Sequence, residues 1–309
     1  MSWQAALVNP PGGDPGLYLS LPNREGSILI DCGDLSPLSL RDLLRVRRLF
    51  VSHTHIDHFV GFDQLLRAQL FSPNGLEVYG PEGLTDQVRG KLSGYAWNLV
   101  DDSPFRVVVH EIRPDSVQRT AFWCRDRFQP LPDGEAGGID LQEPVVTFCW
   151  VVHNVPCLAY RLEWRAHTRV DKQALKELAR EPGPWLSQLK RDPAADPELA
   201  ARVLQRVPAR ALVYVTDTLW NKESGPRLLE LARGAEELWC EACFVHNHLD
   251  KAREHLHLTA RQAGRLARDA GVARLHLFHH SRRYADGSAH LEEAAAVFPG
   301  VTPTPVLGS

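Results

Sequence analysis

The stretch Ser52-His53-Thr54-His55-Ile56-Asp57-His58 decides how this chain of 309 residues folds. It follows the apolar run Leu49-Phe50-Val51, which is typical of a buried strand. Residues 61–67, which come soon after it, have the pattern of a helix. The stretch is therefore predicted to be the turn that connects a strand to a helix, a position from which side chains can converge.

The polar side chains of this turn form a metal-binding pattern. His53 and His55 alternate, so they can face the same side at the end of a strand, whereas Asp57 and His58 can turn toward a second centre. Imidazole and carboxylate ligands in one set favour zinc, with manganese or iron left open. A histidine-rich surface turn would explain a lone His-x-His pair, but His-x-His-x-Asp-His after a buried strand is far more specific.

Three later apolar segments end in residues that can also bind a metal. Ligands at the ends of neighbouring strands can converge on one edge of a sandwich, although each of these residues alone would suggest only packing or a turn. Together with the first motif, they predict two metal centres. The predicted ligands are His53, His55 and His153 for the first ion, Asp57, His58 and His279 for the second, and Asp217 as a bridge.

Such an arrangement predicts hydrolysis. Two ions about 3.5–4 Å apart can hold a water or hydroxide between them and stabilise the charge that develops during displacement. Asp57 could orient that water or accept its proton. The ligands suit phosphodiesters, amides, lactones and thioesters, and do not choose among them.

Several segments together are similar to one family, and the resemblance extends from about residue 28 to residue 284. The opening motif resembles the signature of the metallo-β-lactamase superfamily. The other segments resemble those of ribonuclease Z, the tRNA 3′-processing endonuclease. These segments are residues 153–163, 215–218, 240–244, 257–260 and 277–284.

The resemblance implies an α/β fold, an αββα sandwich formed as a single domain over residues 1–309. It implies a helical excursion at residues 164–208, between the third and bridging ligands, where the family carries an arm that grips tRNA. It also implies that His257 binds no metal and handles the leaving group as a second catalytic residue beside Asp57. The alternative to this catalytic role is that His257 is a surface histidine at the start of a helix.

The substrate implied first is precursor tRNA, cleaved by a phosphodiesterase that uses metal-bound hydroxide. The alternatives are a small or cyclic phosphodiester, a lactonase or thioesterase of the same fold, and a non-catalytic RNA-binding relative. The unbroken ligand set argues against the last of these.

The chain also departs from the family. Residues 7–20, where a basic loop is expected, contain no lysine or arginine, and the excursion carries charges of both signs. Cys240 and Cys243 replace a histidine and a threonine of the family's His-Glu-Ala-Thr segment, and we interpret them as small core residues rather than a redox pair. The phosphodiesterase interpretation is therefore better supported than the tRNA interpretation.

Composition limits the cellular setting. The formal net charge of −3 gives no global attraction to nucleic acid or membranes, although a local basic groove is compatible with it. There is no apolar run long enough for a transmembrane helix and no secretory signal. Six cysteines without such a signal predict reduced thiols and a cytoplasmic location, while a homodimer is left open.

The sequence also predicts the local structure of three segments. Residues 23–26 are expected to form a hairpin turn, residues 122–128 a strand, and residues 130–144 a loop rich in proline and glycine.

Overall fold

The structure is a computed structural model that describes residues 3–21, 26–100, 102–141 and 143–308. The described residues form fifteen strands and eleven α-helices. The strands are β1 (Gln4–Leu7), β2 (Leu17–Ser20), β3 (Ser27–Ile30), β4 (Val46–Phe50), β5 (Leu76–Pro81), β6 (Arg106–Ile112), β7 (Val117–Trp123), β8 (Pro130–Ala136), β9 (Val145–Val151), β10 (Cys157–Trp164), β11 (His167–Val170), β12 (Leu204–Val207), β13 (Arg210–Val215), β14 (Glu237–Glu241) and β15 (Arg274–Phe278). The helices are α1 (Leu40–Arg45), α2 (Ile56–Phe59), α3 (Phe62–Gln69), α4 (Leu84–Ser93), α5 (Lys172–Glu177), α6 (Pro184–Arg191), α7 (Pro197–Val203), α8 (Ser224–Ala232), α9 (Leu249–Glu254), α10 (Ala260–Ala270) and α11 (Ser288–Ala295).

Two sheets pack face to face. The first contains β1 to β8 in sequential order, and the second has the order β15-β14-β13-β10-β9. Apolar side chains from both inner faces fill the space between them, including Phe50 of the first sheet and Tyr160, Tyr214 and Trp239 of the second. Helices α1, α3 and α4 cover the outer face of the first sheet, and α8, α10 and α11 cover the second. The predicted αββα sandwich is confirmed.

Strand direction brings the predicted ligands to one edge. β3, β4 and β5 are parallel neighbours, and so are β13, β14 and β15. β9 and β13 are each antiparallel to β10, so they run in the same direction. Because parallel strands end at the same edge of a sheet, the turns after β4, β9, β13 and β15 meet there.

The excursion at residues 164–208 is a small folded unit. β11 and β12 pair as a two-stranded antiparallel ribbon, and α5, α6 and α7 lie between them in sequence. The helices bury a core of their own, which includes Leu175, Leu189 and Val203. Residues 164–208 therefore have a hydrophobic core of their own, which a flexible loop would lack.

Two local predictions are wrong. Residues 130–136 form β8 rather than a loop, because an edge strand tolerates Pro130 and Pro132 where no ladder partner needs their missing N–H. The strand expected at residues 122–128 lies earlier, as β7, and ends in a short 3₁₀ turn at Cys124–Asp126. The hairpin turn expected at residues 23–26 falls largely on residues 22–25, outside the described part of the chain.

The cysteine interpretation is consistent with the fold. Cys240 is completely buried in the core beneath α8 and α10, and Cys243 is nearly so. Within the described ranges, the helices are too short or too polar to cross a bilayer.

Candidate metal centre

The first group of donor atoms contains three histidines and one carboxylate. His55 Nδ1 lies 3.0 Å from His53 Nε2 and 3.4 Å from His153 Nε2. Asp217 Oδ2 lies 3.7 Å from the same two Nε2 atoms. A tetrahedral zinc ion with ligands at about 2.0–2.1 Å requires its ligand atoms to be roughly 3.3–3.4 Å apart. The four side chains thus have the spacing of a single coordination shell.

The second group lies beside it. His58 Nε2 is 3.6 Å from Asp57 Oδ2 and 3.5 Å from Asp217 Oδ1. His279 contacts the same two carboxylates, with Nε2 at 3.4 Å from Asp57 Oδ2 and Nδ1 at 3.1 Å from Asp217 Oδ1. The structure therefore brings together all seven of the predicted metal ligands.

Asp217 connects the two groups. Its carboxylate is almost completely buried, and its two oxygens face different groups, Oδ2 the first and Oδ1 the second. The hydroxyl of Thr216 donates a hydrogen bond of 2.9 Å to Oδ1 and helps to fix the orientation. Burial alone would raise the pKa of Asp217, but His279 and His58 hold it well below its ordinary value.

The donor set fits metal ions. His58 Nε2 is buried between the two carboxylates and has no hydrogen-bond partner among the described residues. Burial, with His58 alongside, lowers the pKa of His53 to about 2, and burial lowers that of His153 to about 4. Both imidazoles are therefore neutral, which is the form that binds a metal. Several lone pairs aimed at one small volume would repel one another without a cation.

Asp31 orients the ligands of the second group. Asp31 Oδ2 lies 2.9 Å from His58 Nδ1 and accepts a hydrogen bond of 2.9 Å from the Tyr214 hydroxyl. The Ser52 amide and hydroxyl donate to the same carboxylate at 2.7 and 2.8 Å. Since a carboxylate only accepts, a neutral His58 carries its proton on Nδ1, and the lone pair of Nε2 then points into the site.

In the first group, the hydroxyl of Ser52 fixes the tautomer of His53. Ser52 Oγ uses its proton on Asp31, so it can accept one from His53 Nδ1, which is 3.1 Å away. This leaves the lone pair of His53 on Nε2, toward His55 and Asp217. One buried aspartate thus fixes the orientation of ligands in both groups.

Asp31 was missed by the sequence analysis. Its signal was its position directly after β3, the parallel neighbour of the strand that carries the motif. Its backbone φ of 57° is unusual for a residue other than glycine, as are those of Leu256 at 60° and His279 at 58°. Each such residue costs roughly 1–3 kcal/mol. That three of them lie at this edge indicates that the surrounding structure holds the site in a set geometry.

We expect Asp31→Asn to lower the affinity for divalent ions by about 10- to 100-fold, as for the loss of a hydrogen-bond partner of a metal-ligating histidine. The amide would donate toward His58 Nδ1 and favour the wrong tautomer. Metal titration with a competing chelator measures the effect. Tyr214→Phe, which removes only one donor to Asp31, should cost much less, and equal losses in both variants would contradict the tautomer argument.

His257 lies beside both groups without belonging to either predicted coordination shell. Its ring centre is 5.3 Å from that of His279 and 6.0 Å from that of His153. His257 Nδ1 is 3.0 Å from Glu241 Oε2, and Glu241 is fully buried at the end of β14. Burial alone would lower the pKa of His257, but Glu241 raises it above its ordinary value.

Glu241 is the second residue that the sequence analysis left without a role. Its Oε1 accepts a hydrogen bond of 2.8 Å from the amide of Thr218, directly after Asp217. Cys243, two residues later, lies close enough to His257 and His279 for their donor atoms to fall within 4.8 Å. Burial raises the pKa of the Cys243 thiol, which keeps it protonated and unreactive.

Comparisons with known proteins agree with the fold and show the family. No family model matches the chain. Ribonuclease Z from Deinococcus radiodurans is 32% identical over 319 aligned positions, which cover 96% of this chain and 96% of that protein. Ribonuclease Z from Synechococcus sp. strain CC9311 is 31% identical over 300 positions, covering 91% of this chain and 87% of that protein.

Solved structures show the same architecture. The metallo-β-lactamase fold protein YhfI from Bacillus subtilis superimposes with a TM-score of 0.61 at 20% identity, covering 97% of this chain and 95% of that one. Human tRNase Z, short form, gives a TM-score of 0.57 at 21% identity, covering 92% and 94%. These similarities support the metallo-β-lactamase fold.

Proposed function

The chain belongs to the ribonuclease Z family of metal-dependent hydrolases. From that premise we propose that it is a two-metal endoribonuclease that removes the 3′ trailer from precursor tRNA. The observation that carries the two-metal proposal is the Asp217 carboxylate, whose oxygens face separate groups of donors. The curated relatives named ribonuclease Z support RNA as the substrate.

We assign the first ion to His53, His55 and His153 and the second to Asp57, His58 and His279, with Asp217 shared. Zinc fits these nitrogen and oxygen donors best. Two such ions supply Lewis acidity toward a phosphodiester and activate a water for attack on phosphorus.

The protein's own residues prepare that attack. Asp57 is half-exposed at the open side of the site, and although burial would raise its pKa, the hydrogen bond with His279 keeps it low. An ionised Asp57 can orient an incoming water and receive its proton transiently.

His257 serves the other side of the reaction. Glu241 accepts a hydrogen bond from Nδ1 and favours the imidazolium, so Nε2 can donate its proton to the departing oxygen. Glu241 is a positioning residue in this scheme, since it acts through His257.

We further propose that residues 1–309 form one domain from which residues 164–208 project as an arm that contacts the body of the tRNA. The arm carries nine lysines and arginines against six aspartates and glutamates, although the whole chain is acidic. Such an excess favours contact with phosphates. A reducing compartment such as the cytoplasm fits the cysteines, because those of the described residues form no disulfide.

One assay tests the proposed function. Purified protein is given a tRNA with a 3′ trailer and, separately, a bis-aryl phosphodiester, with and without a chelator. We expect metal-dependent cleavage of both, and of the tRNA at a single position. Hydrolysis of the small ester without tRNA cleavage would replace the tRNA proposal with a small-phosphodiester function.

The arm can be removed with little disturbance of the sandwich. Trp164 and Arg210 lie directly opposite each other at the end of the β10–β13 pair, so Asn-Gly in place of residues 165–209 would close a tight hairpin. We expect metal content and hydrolysis of the small ester to stay nearly unchanged. The apparent Kd for tRNA should rise by roughly 100-fold, equivalent to about 3 kcal/mol of lost phosphate contacts.

The salt dependence of tRNA binding provides the check on this prediction. If the arm contacts phosphates, its removal makes the plot of log K against log salt less steep. Unchanged tRNA affinity and slope in the armless variant would show that residues 164–208 do not grip tRNA.

A further inference from the structure

A groove of about 640 Å³ runs along α9 and α10 on the outside of the second sheet. This volume lies within the range of about 300–1,000 Å³ that is usual for binding pockets. Its walls include one aromatic ring, Trp220, and three arginines, Arg253, Arg265 and Arg268. None of these residues belongs to the metal centre.

One wall of the groove is anchored beside the metal ligands. Trp220 follows Asp217 by three residues, so their Cα atoms are at most about 11 Å apart. The amide of Leu219 donates a hydrogen bond of 2.9 Å to the carbonyl of Val152, next to His153. Trp220 is therefore held at the edge of the site by the strand end that supplies a ligand.

The opposite wall is anchored beside His257. Arg253 lies on α9, and the amide of His257 donates a hydrogen bond of 2.8 Å to the neighbouring carbonyl of Ala252. Arg265 lies on α10, whose N-terminal capping residue Thr259 is two residues beyond His257. Both walls of the groove are therefore carried by chain segments that also carry residues of the site.

The charges of the groove favour an anion. Arg268 pairs with Asp269 at 2.8 Å, and Arg253 is 3.7 Å from Asp250. Arg265 is exposed and forms no ion pair with a carboxylate in the described part of the chain.

The ring of Trp220 is supported from behind. A Cβ built on Gly225 would lie 3.3 Å from two of its ring carbons, so α8 holds the ring closely on that side. The half-buried ring also lines the groove, where a flat partner can stack on it. Aromatic rings beside arginines are the usual means of binding unpaired nucleotides, since every base has a face to stack.

We propose that this groove binds unpaired RNA nucleotides that flank the scissile phosphate, with a base stacked on Trp220 and backbone phosphates on Arg265 and Arg253. This proposal rests on the proposed RNA cleavage for its biological meaning, but binding can be measured separately. The unpaired strand enters along the His257 side and is held in position before and after cleavage.

The test measures fluorescence anisotropy of labelled hexauridylate and of an abasic ribose-phosphate chain of the same length, with metal-loaded protein. Trp220→Ala should weaken hexauridylate binding by about 5- to 150-fold, the range for one lost stacking contact, and leave the abasic chain nearly unaffected. Arg265→Ala should weaken both ligands and reduce the magnitude of the salt slope by about 0.7 for one lost phosphate contact.

Arg89→Ala is the matched control, because Arg89 is an exposed helical arginine on α4, on the far side of the sandwich. It should bind both ligands as the unmodified protein does. Circular dichroism shows whether each variant folds. If Trp220→Ala does not fold, Arg265→Ala still tests the proposal, because it changes only an exposed side chain. Unchanged hexauridylate binding in Arg265→Ala, or equal losses on both ligands in Trp220→Ala, would overturn the proposal.

Cleavage of trailer-bearing tRNA by the unmodified protein is measured in parallel. If that cleavage fails while both variants lose hexauridylate binding, the groove stands and the proposed tRNA function falls. If cleavage succeeds and the variants bind normally, the groove proposal falls alone.

Discussion

Asp217→Ala is expected to lose both metal ions and nearly all turnover. Each donor group retains three predicted ligands in this variant, but no shared carboxylate remains to fix the distance between the two groups. Asp217 would also supply negative charge to both ions, because its oxygens lie at 3.1–3.7 Å from the surrounding histidine nitrogens. Removing it therefore weakens both centres at once rather than one of them.

The effect on rate should be large. If the two ions supply about 5–6 kcal/mol of transition-state stabilisation, their loss lowers kcat/KM by roughly four orders of magnitude on either substrate. Metal content, measured by mass spectrometry of the purified protein, should fall from about two ions per chain to well below one. Because bound ions would also link the strand ends, their loss should make thermal unfolding less sensitive to chelator.

Two further variants sharpen this prediction. Asp217→Asn keeps the shape and the acceptor for Thr216 but offers only one oxygen as a ligand, so it should retain more metal than the alanine variant. Asp86→Ala removes an exposed carboxylate on α4 that pairs with Arg89, and it should change neither metal content nor rate. Two ions retained in Asp217→Ala would show that this carboxylate does not bridge the centres.

The convergence of the predicted metal ligands could be inferred from sequence because each of them follows an apolar strand. His153, Asp217 and His279 are far apart in the chain, yet a buried strand that ends in a ligand residue places that residue at a sheet edge. Parallel strands then bring such edges together without any need to know the packing in detail. This explains why the predicted ligands converge in the structure.

Asp31 and Glu241 could not be predicted in the same way. Asp31 acquires its role from Ser52, His58 and Tyr214, which reach it from the turn after β4, from α2 and from β13 of the second sheet. A buried carboxylate after a strand has the same local pattern whether it orients an imidazole or closes a turn. Only the sheet-on-sheet packing decides between these roles.

The edge strand β8 shows another limit. Proline and glycine in residues 130–144 are typical of a loop, but β7 offers a free edge with which residues 130–136 can pair. Here a neighbouring strand overrides a local preference.

His257→Ala is expected to keep its metal ions and lose about two to four orders of magnitude in the rate of RNA cleavage, as for the loss of a general acid. No predicted ligand is removed, so the metal content should match that of the unmodified protein. A nitrophenolate leaves without a proton, so hydrolysis of a bis-nitrophenyl phosphodiester should fall much less. Equal losses on both substrates would point to a positioning or folding role instead.

The pH profile distinguishes proton donation from positioning. Glu241 raises the pKa of His257, so the active imidazolium persists at low pH and is lost as pH rises through that raised pKa. In Glu241→Gln the amide can still accept from Thr218 but would donate toward Nδ1, which disfavours the imidazolium. The alkaline limb of kcat for RNA should therefore move to lower pH, with little change in the profile for the nitrophenyl ester. An alkaline limb that stays in place in Glu241→Gln would mean that His257 is not the group that loses its proton there.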